Sequence, residues 1–585
     1  MTPVHATPSL MTGLEVVEAI ERNGDLTDKE KSDFRSAWMR ASEWTGIPLP
    51  KLIAHPSNLR PRLARLSPGK LGVKKKTITN IRRLLKRSMA LVCPKRAARS
   101  HKPAYTSEIE ALRASIDCKY TWTSLTCLLR YASGLGLRLA EVDDDISNAA
   151  LDAMLEDGLQ KRPLIVHQNA CRAWGRLRSR FPELGLKSLA VPKYGKHEAL
   201  RRDDIPAHLM AEFDVFISRG STCDPFDLSS PIKPWSMATI STYKSLFHRY
   251  MGWLVSAGVD LGTLGSLTDV ARADQCVAVF DKRGLRQNTK GRASAANITY
   301  LLSLICEFKA NNEQNGKRKQ LLFEQSASLK ALATRLRKLR QKSSKNRDRL
   351  ANLRDESNLA RLFLLPFTLE RELSKISKPK EADALLMQWA VALCILTFCP
   401  LRISSLCSIR LDRHLRWTRP DMKGSLWLEF AEGELKNGEP ASLPLPVECA
   451  RMIRVYLRRF RTLLAAAENP HLFSGASSER PKGAGVMSGQ LSRLIEDRTG
   501  LPVNPHLYRH IVHLIVLRRF PGAYAMIARV LTHRSIATTI KNYSYFDAEL
   551  AVGAFQKLVR DVQSGAVGIA SDPLSAIAYQ PFEED

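Results

Sequence analysis

The sequence predicts a mainly α-helical protein whose C-terminal part is a mixed α+β domain with a small antiparallel sheet. Apolar residues recur at helical spacing through most of the 585 residues, which is the pattern of helices packed on a core. Strand-like alternation is confined to residues 426–445, where an Asn-Gly pair marks a hairpin turn. Glycines and prolines interrupt the helical stretches, as expected for loops and linkers.

The charge of the chain indicates a polyanionic partner. Lysine and arginine number 89 against 58 aspartate and glutamate residues, which gives a formal net charge of +31. Such a surface attracts nucleic acid, although a generally cationic protein has the same composition. From its length alone, the chain is expected to contain about four domains.

Cysteine usage and the N-terminus both favour an intracellular location. The eleven cysteines form no Cys-x-x-Cys pair and no zinc-type cluster, which is typical of reduced cytosolic thiols. The first residues lack a secretory signal pattern, and no apolar run looks long enough to span a bilayer. We therefore expect a cytoplasmic protein with no membrane partner.

Residues 1–100 are predicted to form an N-terminal helical basic domain. A helix in this segment has an apolar face and an opposite cationic face. The apolar face consists of Ile78, Ile81, Leu84, Leu85 and Met89. The cationic face consists of Lys75, Arg82, Arg83, Lys86 and Arg87. The apolar face predicts packing on a core. The cationic face is either a binding surface or a solvated one.

Two further helical domains are predicted over residues 104–195 and 205–345. The first ends in a basic stretch that contains Arg172, Arg176, Arg178 and Arg180. The second carries an apolar helical stripe; its members are Ile240, Tyr243, Phe247, Tyr250, Met251 and Leu254. A basic helix is expected over residues 328–354, where lysines and arginines would neutralise phosphates without reading sequence.

The last predicted domain, residues 357–562, concentrates side chains that suit chemistry on a phosphodiester. Its reactive stretch is VNPHLYRHIVHLIVLRRFPGAYAMIARVLTHRSIATTIKNYSY. His506 and Arg509 are three residues apart and share a helix face. Arginine binds phosphate oxygens through two parallel hydrogen bonds, histidine carries protons near neutral pH, and tyrosine can act as a nucleophile. The combination indicates covalent attack on a phosphate.

Three motifs in this domain resemble those of the tyrosine recombinases, the phage-integrase family of site-specific DNA recombinases. They are PLRISSLCSIRLD around Arg402, PHLYRH around His506 and Arg509, and LTHRS at His533. A lysine on a hairpin, Lys436, precedes a Pro-Leu pair as it does in the family. The segment 205–345 resembles the family's core-binding domain, a helical bundle that clamps DNA.

The resemblance implies a DNA integrase that acts through a 3′-phosphotyrosine intermediate and serves integration, excision or transposition of a mobile element. Tyr543 would be the nucleophile, with Tyr545 as the other candidate. Arg402 and Arg509 would stabilise the charge on the phosphate. His506 and His533 would assist proton transfer, and Lys436 would be the general acid. No cofactor is expected, because the sequence has no P-loop and no clustered carboxylates for two-metal catalysis.

Two positions depart from the family pattern. Ser405 occupies a position that is usually acidic, three residues after Arg402. Thr532 replaces the glycine that usually precedes the histidine, and a left-handed backbone would be costly for a residue with a Cβ. Either the local backbone differs here or the glycine is not required.

The resemblance also implies partners. They are double-stranded DNA, a homo-tetramer assembled on DNA, and helper proteins, in a cytoplasmic, nucleoid-associated setting. An acidic C-terminal tail over residues 563–585 follows an apolar stripe at Phe555, Leu558, Val559 and Val562, which could dock on a neighbouring subunit or on its own domain. Two alternatives remain: an architectural DNA-binding protein without chemistry, and a topoisomerase of the type IB kind.

Overall fold

The chain is mainly helical with a small three-stranded antiparallel sheet, which confirms the predicted fold class. The computed structural model describes the following residues: 11–92, 104–116, 118–159, 162–192, 199–223, 226, 231, 233–287, 291–338, 349–465, 468–475, 479–520, 522–533, 535–537, 540, 555–556 and 559–560.

The described helices before residue 340 are α1 (Gly13–Arg22), α2 (Asp28–Thr45), α3 (Pro56–Leu63), α4 (Pro68–Leu71), α5 (Lys75–Val92), α6 (Ser107–Ser115), α7 (Lys119–Gly134), α8 (Asp144–Asp157), α9 (Pro163–Arg180), α10 (Ala207–Gly220), α11 (Met237–Ser256), α12 (Leu267–Val270), α13 (Ala273–Lys282), α14 (Arg292–Asn311) and α15 (Gly316–Lys338). The later elements are α16 (Glu356–Ser374), α17 (Glu381–Phe398), α18 (Ile403–Cys407), β1 (Leu415–Trp417), β2 (Leu426–Phe430), β3 (Ala441–Leu445), α19 (Val447–Arg459), α20 (Ala484–Thr499), α21 (Leu507–Arg519) and α22 (Tyr524–Val530).

These elements belong to two compact units. The first unit combines residues 1–101, 155–161 and 344–585, and the second combines residues 102–154 and 162–343. The five segment boundaries expected from the sequence stay a prediction.

The N-terminal helices of the first unit are fixed at their starts and through their core. Thr12 and Thr27 cap α1 and α2, each with a glutamate three residues on that returns a hydrogen bond. The buried indole of Trp38 donates to the Ser88 hydroxyl of α5 over 2.9 Å. Helix α5 buries the predicted apolar face, apart from the half-buried Leu84.

Part of the cationic face of α5 is used inside the protein. Lys75 pairs with Asp497 at 3.4 Å, and Arg87 pairs with Glu30 at 2.7 Å. These ion pairs reduce the number of charges that α5 can offer to a partner.

The second unit contains two helical cores. Trp174 of α9 is fully buried in one of them, and its indole donates to the Lys187 carbonyl at 2.9 Å. In the other, the rings of Phe213 and Phe247 stack with centroids 3.9 Å apart. The predicted stripe on α11 is buried except for the half-buried Tyr243. Of the predicted basic helix over 328–354, residues 328–338 belong to α15, which ends at Lys338, and the described residues 349–354 lie outside α15.

The largest core lies in the first unit and surrounds α17. Ten of the 18 residues of this helix are buried. Helix α17 is long and apolar enough to cross a membrane by length and composition, contrary to the expectation from the sequence. Its side chains pack in a hydrophobic core with α16, α19 and the sheet, which accounts for its composition.

The sheet has the order β1-β2-β3, and both pairings are antiparallel. Leu426, Leu428 and Phe430 are buried on one face, as their alternation predicts. The Asn437–Gly438 signal belongs to a longer connection, in which the Gly438 amide donates to the Leu435 carbonyl at 2.9 Å. Gly438 has a φ of 82°, which favours glycine.

Candidate active site

The site is built around Arg509, whose side chain joins three segments of the first unit. Arg509 is 3% exposed. One terminal nitrogen donates to the Pro400 carbonyl at 2.8 Å, and the other donates to the Leu531 carbonyl at 2.6 Å. The second nitrogen also lies 3.0 Å from Nε2 of His533. The guanidinium is therefore fixed by backbone oxygens from residues far apart in the sequence.

His506 stands where α21 begins. It occupies the N-cap position, and the following Leu507 amide is held by Asn504 through its backbone carbonyl at 2.9 Å and its side-chain oxygen at 3.2 Å. Arg509 follows within the first turn of the helix. The predicted shared face is therefore confirmed, and both side chains lie at the N-terminal end of α21.

Arg402 joins the same site from the N-terminus of α18, immediately after the loop that accepts the hydrogen bond from Arg509. Its side chain is half-buried, and it forms no hydrogen bond or ion pair with any other residue that the structure describes. The charges of Arg402 and Arg509 both lower the pKa values of His506 and His533. Four of the six predicted site residues are thus brought together.

A left-handed turn places His533. Thr532 has a φ of 50°, so the backbone keeps the conformation that glycine would adopt most easily. The Thr532 amide donates to the Arg529 carbonyl at 3.1 Å, and the His533 amide donates to the Ala528 carbonyl at 2.8 Å. This pair of bonds ends α22 as a Schellman motif. The open alternative of a different local backbone is wrong; the chain tolerates threonine in the strained conformation.

The histidines of the site are neutral at neutral pH. Burial lowers the pKa of His533 to about 4, and the charges of Arg509 and Arg402 add to this effect. Surrounding protein likewise lowers the pKa of His506 although its side chain still reaches solvent, and the same arginines contribute. Because Arg509 can only donate, the Nε2 of a neutral His533 accepts and its Nδ1 carries the proton.

Two further histidines extend the site along α21. The ring of His510 lies edge-on to that of His506, with centroids 5.2 Å apart. Burial lowers the pKa of His510 to about 4, and electrostatic interactions with His506 and Arg509 add to this effect. His513 is fully buried, its Nδ1 lies 3.0 Å from the Arg509 carbonyl, and burial lowers its pKa to about 3. The spacing of four residues from Arg509 to His513 was the available sequence signal for this contact.

The structure does not bring Lys436 into the cluster. Its side chain is exposed on the connection between β2 and β3, and among the described residues it forms no hydrogen bond to the other four. Ser405, at the usually acidic position, is 7% exposed within α18. Tyr543 and Tyr545 lie outside the described residues, as does the whole acidic tail over residues 563–585. In the apolar stripe before the tail, Phe555 and Val559 are exposed, and Leu558 and Val562 lie outside the described residues.

The comparisons with known proteins yield only weak structural similarity. No family model matches the chain, and no curated protein matches it. Among solved structures, the chain is similar to a crystal structure of XerA recombinase with a TM-score of 0.21 and 16% sequence identity. That alignment covers 56% of this chain and 91% of the other. The chain thus has a weak structural similarity to a recombinase.

Proposed function

We propose that this protein cleaves and rejoins DNA strands through a transient covalent bond between a tyrosine and a 3′-phosphate, as a site-specific recombinase. The observation that carries the proposal is the convergence of Arg402, His506, Arg509 and His533 around a guanidinium held by backbone carbonyls. Fixed positive groups in a partly dry site stabilise charge that develops on a phosphate during attack. The net charge of +31 supports a nucleic-acid substrate.

Each residue has a defined task in the proposed reaction. The Tyr543 oxygen attacks phosphorus, the bond to the 5′ oxygen breaks, and the new bond joins tyrosine to the 3′-phosphate. Arg402 and Arg509 bind the nonbridging oxygens. Neutral His506 can accept the phenol proton because its lowered pKa leaves it unprotonated, whereas the acceptor nitrogen of His533 is already bonded to Arg509.

The departing 5′ oxygen takes a proton from Lys436 and leaves as a hydroxyl. For this step the exposed β2–β3 connection has to approach the cluster when DNA is bound. Rejoining is the reverse reaction, in which a 5′-hydroxyl attacks the phosphotyrosine bond. The phosphotyrosine retains the energy of the broken bond, so the cycle is complete without an external energy source.

The proposed partners follow from this chemistry. Exchange between two duplexes needs four strand cleavages, so a homo-tetramer on paired double-stranded DNA is the matching assembly. Such a protein would act in the cytoplasm on integration, excision or transposition of a mobile element, with or without helper proteins.

The test uses a library of nicked duplexes of randomised sequence. A nick beside the cleaved bond lets the short 5′-hydroxyl fragment diffuse away, so covalent complexes accumulate and survive denaturation. The parent protein and Tyr545→Phe should form such complexes, whereas Tyr543→Phe should not. Sequencing the trapped DNA would define the target. Adduct formation by Tyr543→Phe would disprove the assignment of the nucleophile.

A second candidate is an architectural DNA-binding protein without chemistry. Lys436 is exposed and forms no hydrogen bond with the cluster among the described residues, which favours this candidate. It predicts that the parent protein binds the same duplexes and yields no covalent complex under any condition.

A further inference from the structure

Helix α9 of the second unit has an arginine face that nothing in the proposed catalytic site uses. Arg172, Arg176 and Arg180 follow one another at four-residue intervals, so they lie along one side of the helix. All three are exposed. Together with Gly175, Ser179 and Val191 they line an open groove with a volume of about 620 Å³.

Two of these arginines, Arg172 and Arg176, have no acidic partner among the residues that the structure describes. Helix α9 contains no aspartate or glutamate in its 18 residues. Within the described part of the chain, Arg172 and Arg176 form no ion pair and no hydrogen bond. Other exposed arginines of the same unit are paired: Arg272 lies 2.8 Å from Asp274, and Arg286 donates to Asp281 at 2.7 Å.

Gly175 leaves the floor of the groove open. Glycine is the least favourable residue after proline inside a helix, so a mid-helix glycine usually has a packing reason. Here a Cβ at Gly175 would meet no atom within 4 Å. No described residue therefore packs against this position in a way that requires glycine, and its place between Arg172 and Arg176 leaves room for a ligand close to the helix backbone.

We propose that this arginine face binds the phosphate backbone of duplex DNA without reading its sequence. Successive arginines are about 6 Å apart along the helix, and phosphates of one strand advance about 3.4 Å along the duplex axis, so each arginine can reach a different phosphate. Leu189 and Val191 form the apolar side of the groove and offer no base-reading groups. The inference rests on the proposed function only in its choice of DNA as the polyanion.

The test measures how the affinity of the full chain for a duplex of arbitrary sequence changes with salt. Each lost phosphate contact lowers the slope of log affinity against log salt by about 0.9. The double variant Arg172→Gln/Arg176→Gln should therefore have a slope lower by about 1.8. The matched control Arg272→Gln/Arg286→Gln removes the same charge from paired arginines of the same unit, and its slope should stay at the parent value.

Three outcomes would overturn the inference. One is a slope in the Arg172→Gln/Arg176→Gln variant equal to that of the parent, and another is an equal loss in the control, which would reflect net charge alone. A loss seen only with single-stranded RNA, and not with duplex DNA, would also overturn it.

Gly175→Ala separates binding from folding. Alanine favours the helix, so the variant should have a higher Tm while its added methyl group narrows the groove and weakens DNA binding. Unchanged affinity would contradict the role of the open floor. Since the salt slope requires no chemistry, a parent protein that never forms a covalent complex would disprove the proposed function and leave this inference standing.

Discussion

Two arginine sites of this protein differ in the environment of their guanidinium groups. Arg509 in the first unit is 3% exposed and is held by two carbonyl oxygens and a histidine. Arg172 and Arg176 in the second unit are exposed on α9 and have no such partners among the described residues. A buried and fixed guanidinium suits stabilisation of a transition state at one phosphate. Exposed guanidiniums suit salt-dependent attraction to many phosphates.

The largest expected difference between the two sites is in stability. Arg509→Gln leaves the Pro400 and Leu531 carbonyls without their donor, which should lower the free energy of unfolding by about 2 to 4 kcal/mol. Arg176→Gln changes an exposed side chain that forms no hydrogen bond or ion pair with the described residues, and it should stay within about 0.5 kcal/mol of the parent. Urea unfolding of both variants measures this difference.

The cleavage reaction sharpens the same comparison. Arg509→Lys keeps the charge but loses the planar fork, so it serves as the control for charge alone. Because Arg509→Lys lacks this fixed donor, its rate of covalent-complex formation should be lower than that of the parent by about 100-fold or more. If Arg509→Lys and Arg176→Gln were equally stable and equally active, the proposed difference between a catalytic arginine and a DNA-binding arginine would be contradicted.

The histidines around Arg509 make the first unit sensitive to acid. In the folded protein the pKa values of His510 and His533 are about 4, and that of His513 is about 3. The ordinary value is about 6.5, so the unfolded chain binds more protons as the pH falls below 6.5. Stability should therefore be constant above pH 7, decrease by a few kcal/mol down to about pH 4, and level off below the folded values.

Urea unfolding at pH 7 and pH 5 tests this expectation. His513→Asn removes one of the buried titrating groups and should show a smaller difference between the two pH values. An identical pH dependence in the parent and the variant would contradict the assignment.

The smallest expected effect concerns two positions whose residue type is unfavourable for the backbone conformation it adopts. Thr532 adopts a φ of 50° next to His533, where glycine is favoured, and Gly175 lies inside a helix, where alanine is favoured. Thr532→Gly should raise the free energy of unfolding by about 1 kcal/mol, because the left-handed conformation is costly for a residue with a Cβ. Thr532→Ala keeps the Cβ and should gain less, which a comparison of Tm values can show.

Local sequence patterns predicted much of the fold. The alternation of Leu426, Leu428 and Phe430 matches a strand buried on one face, and the spacing of His506 and Arg509 places them on one face of α21. Strand β1 is only three residues long, which is too short for an alternation signal. A helix as apolar as α17 can be either a core helix or a membrane-spanning helix, and only its packing distinguishes the two.

The site depends on contacts that no local pattern contains. The bond from Arg509 to the Pro400 carbonyl joins residues 109 apart in the sequence. The lowered pKa values arise from burial, which becomes defined only when α18, α21 and α22 pack together. Lys436 was assigned from its hairpin, but spacing within a hairpin does not fix the direction in which an exposed side chain points.

The most direct test of the central claim removes the charge that the arginines are proposed to neutralise. A nicked duplex of the trapped sequence is prepared with a methylphosphonate in place of the cleaved phosphate, so one negative charge is lost. The account predicts that Arg402→Gln forms far less covalent complex than the parent on the phosphate and approaches the parent on the methylphosphonate. An equal deficit of Arg402→Gln on both substrates would contradict it.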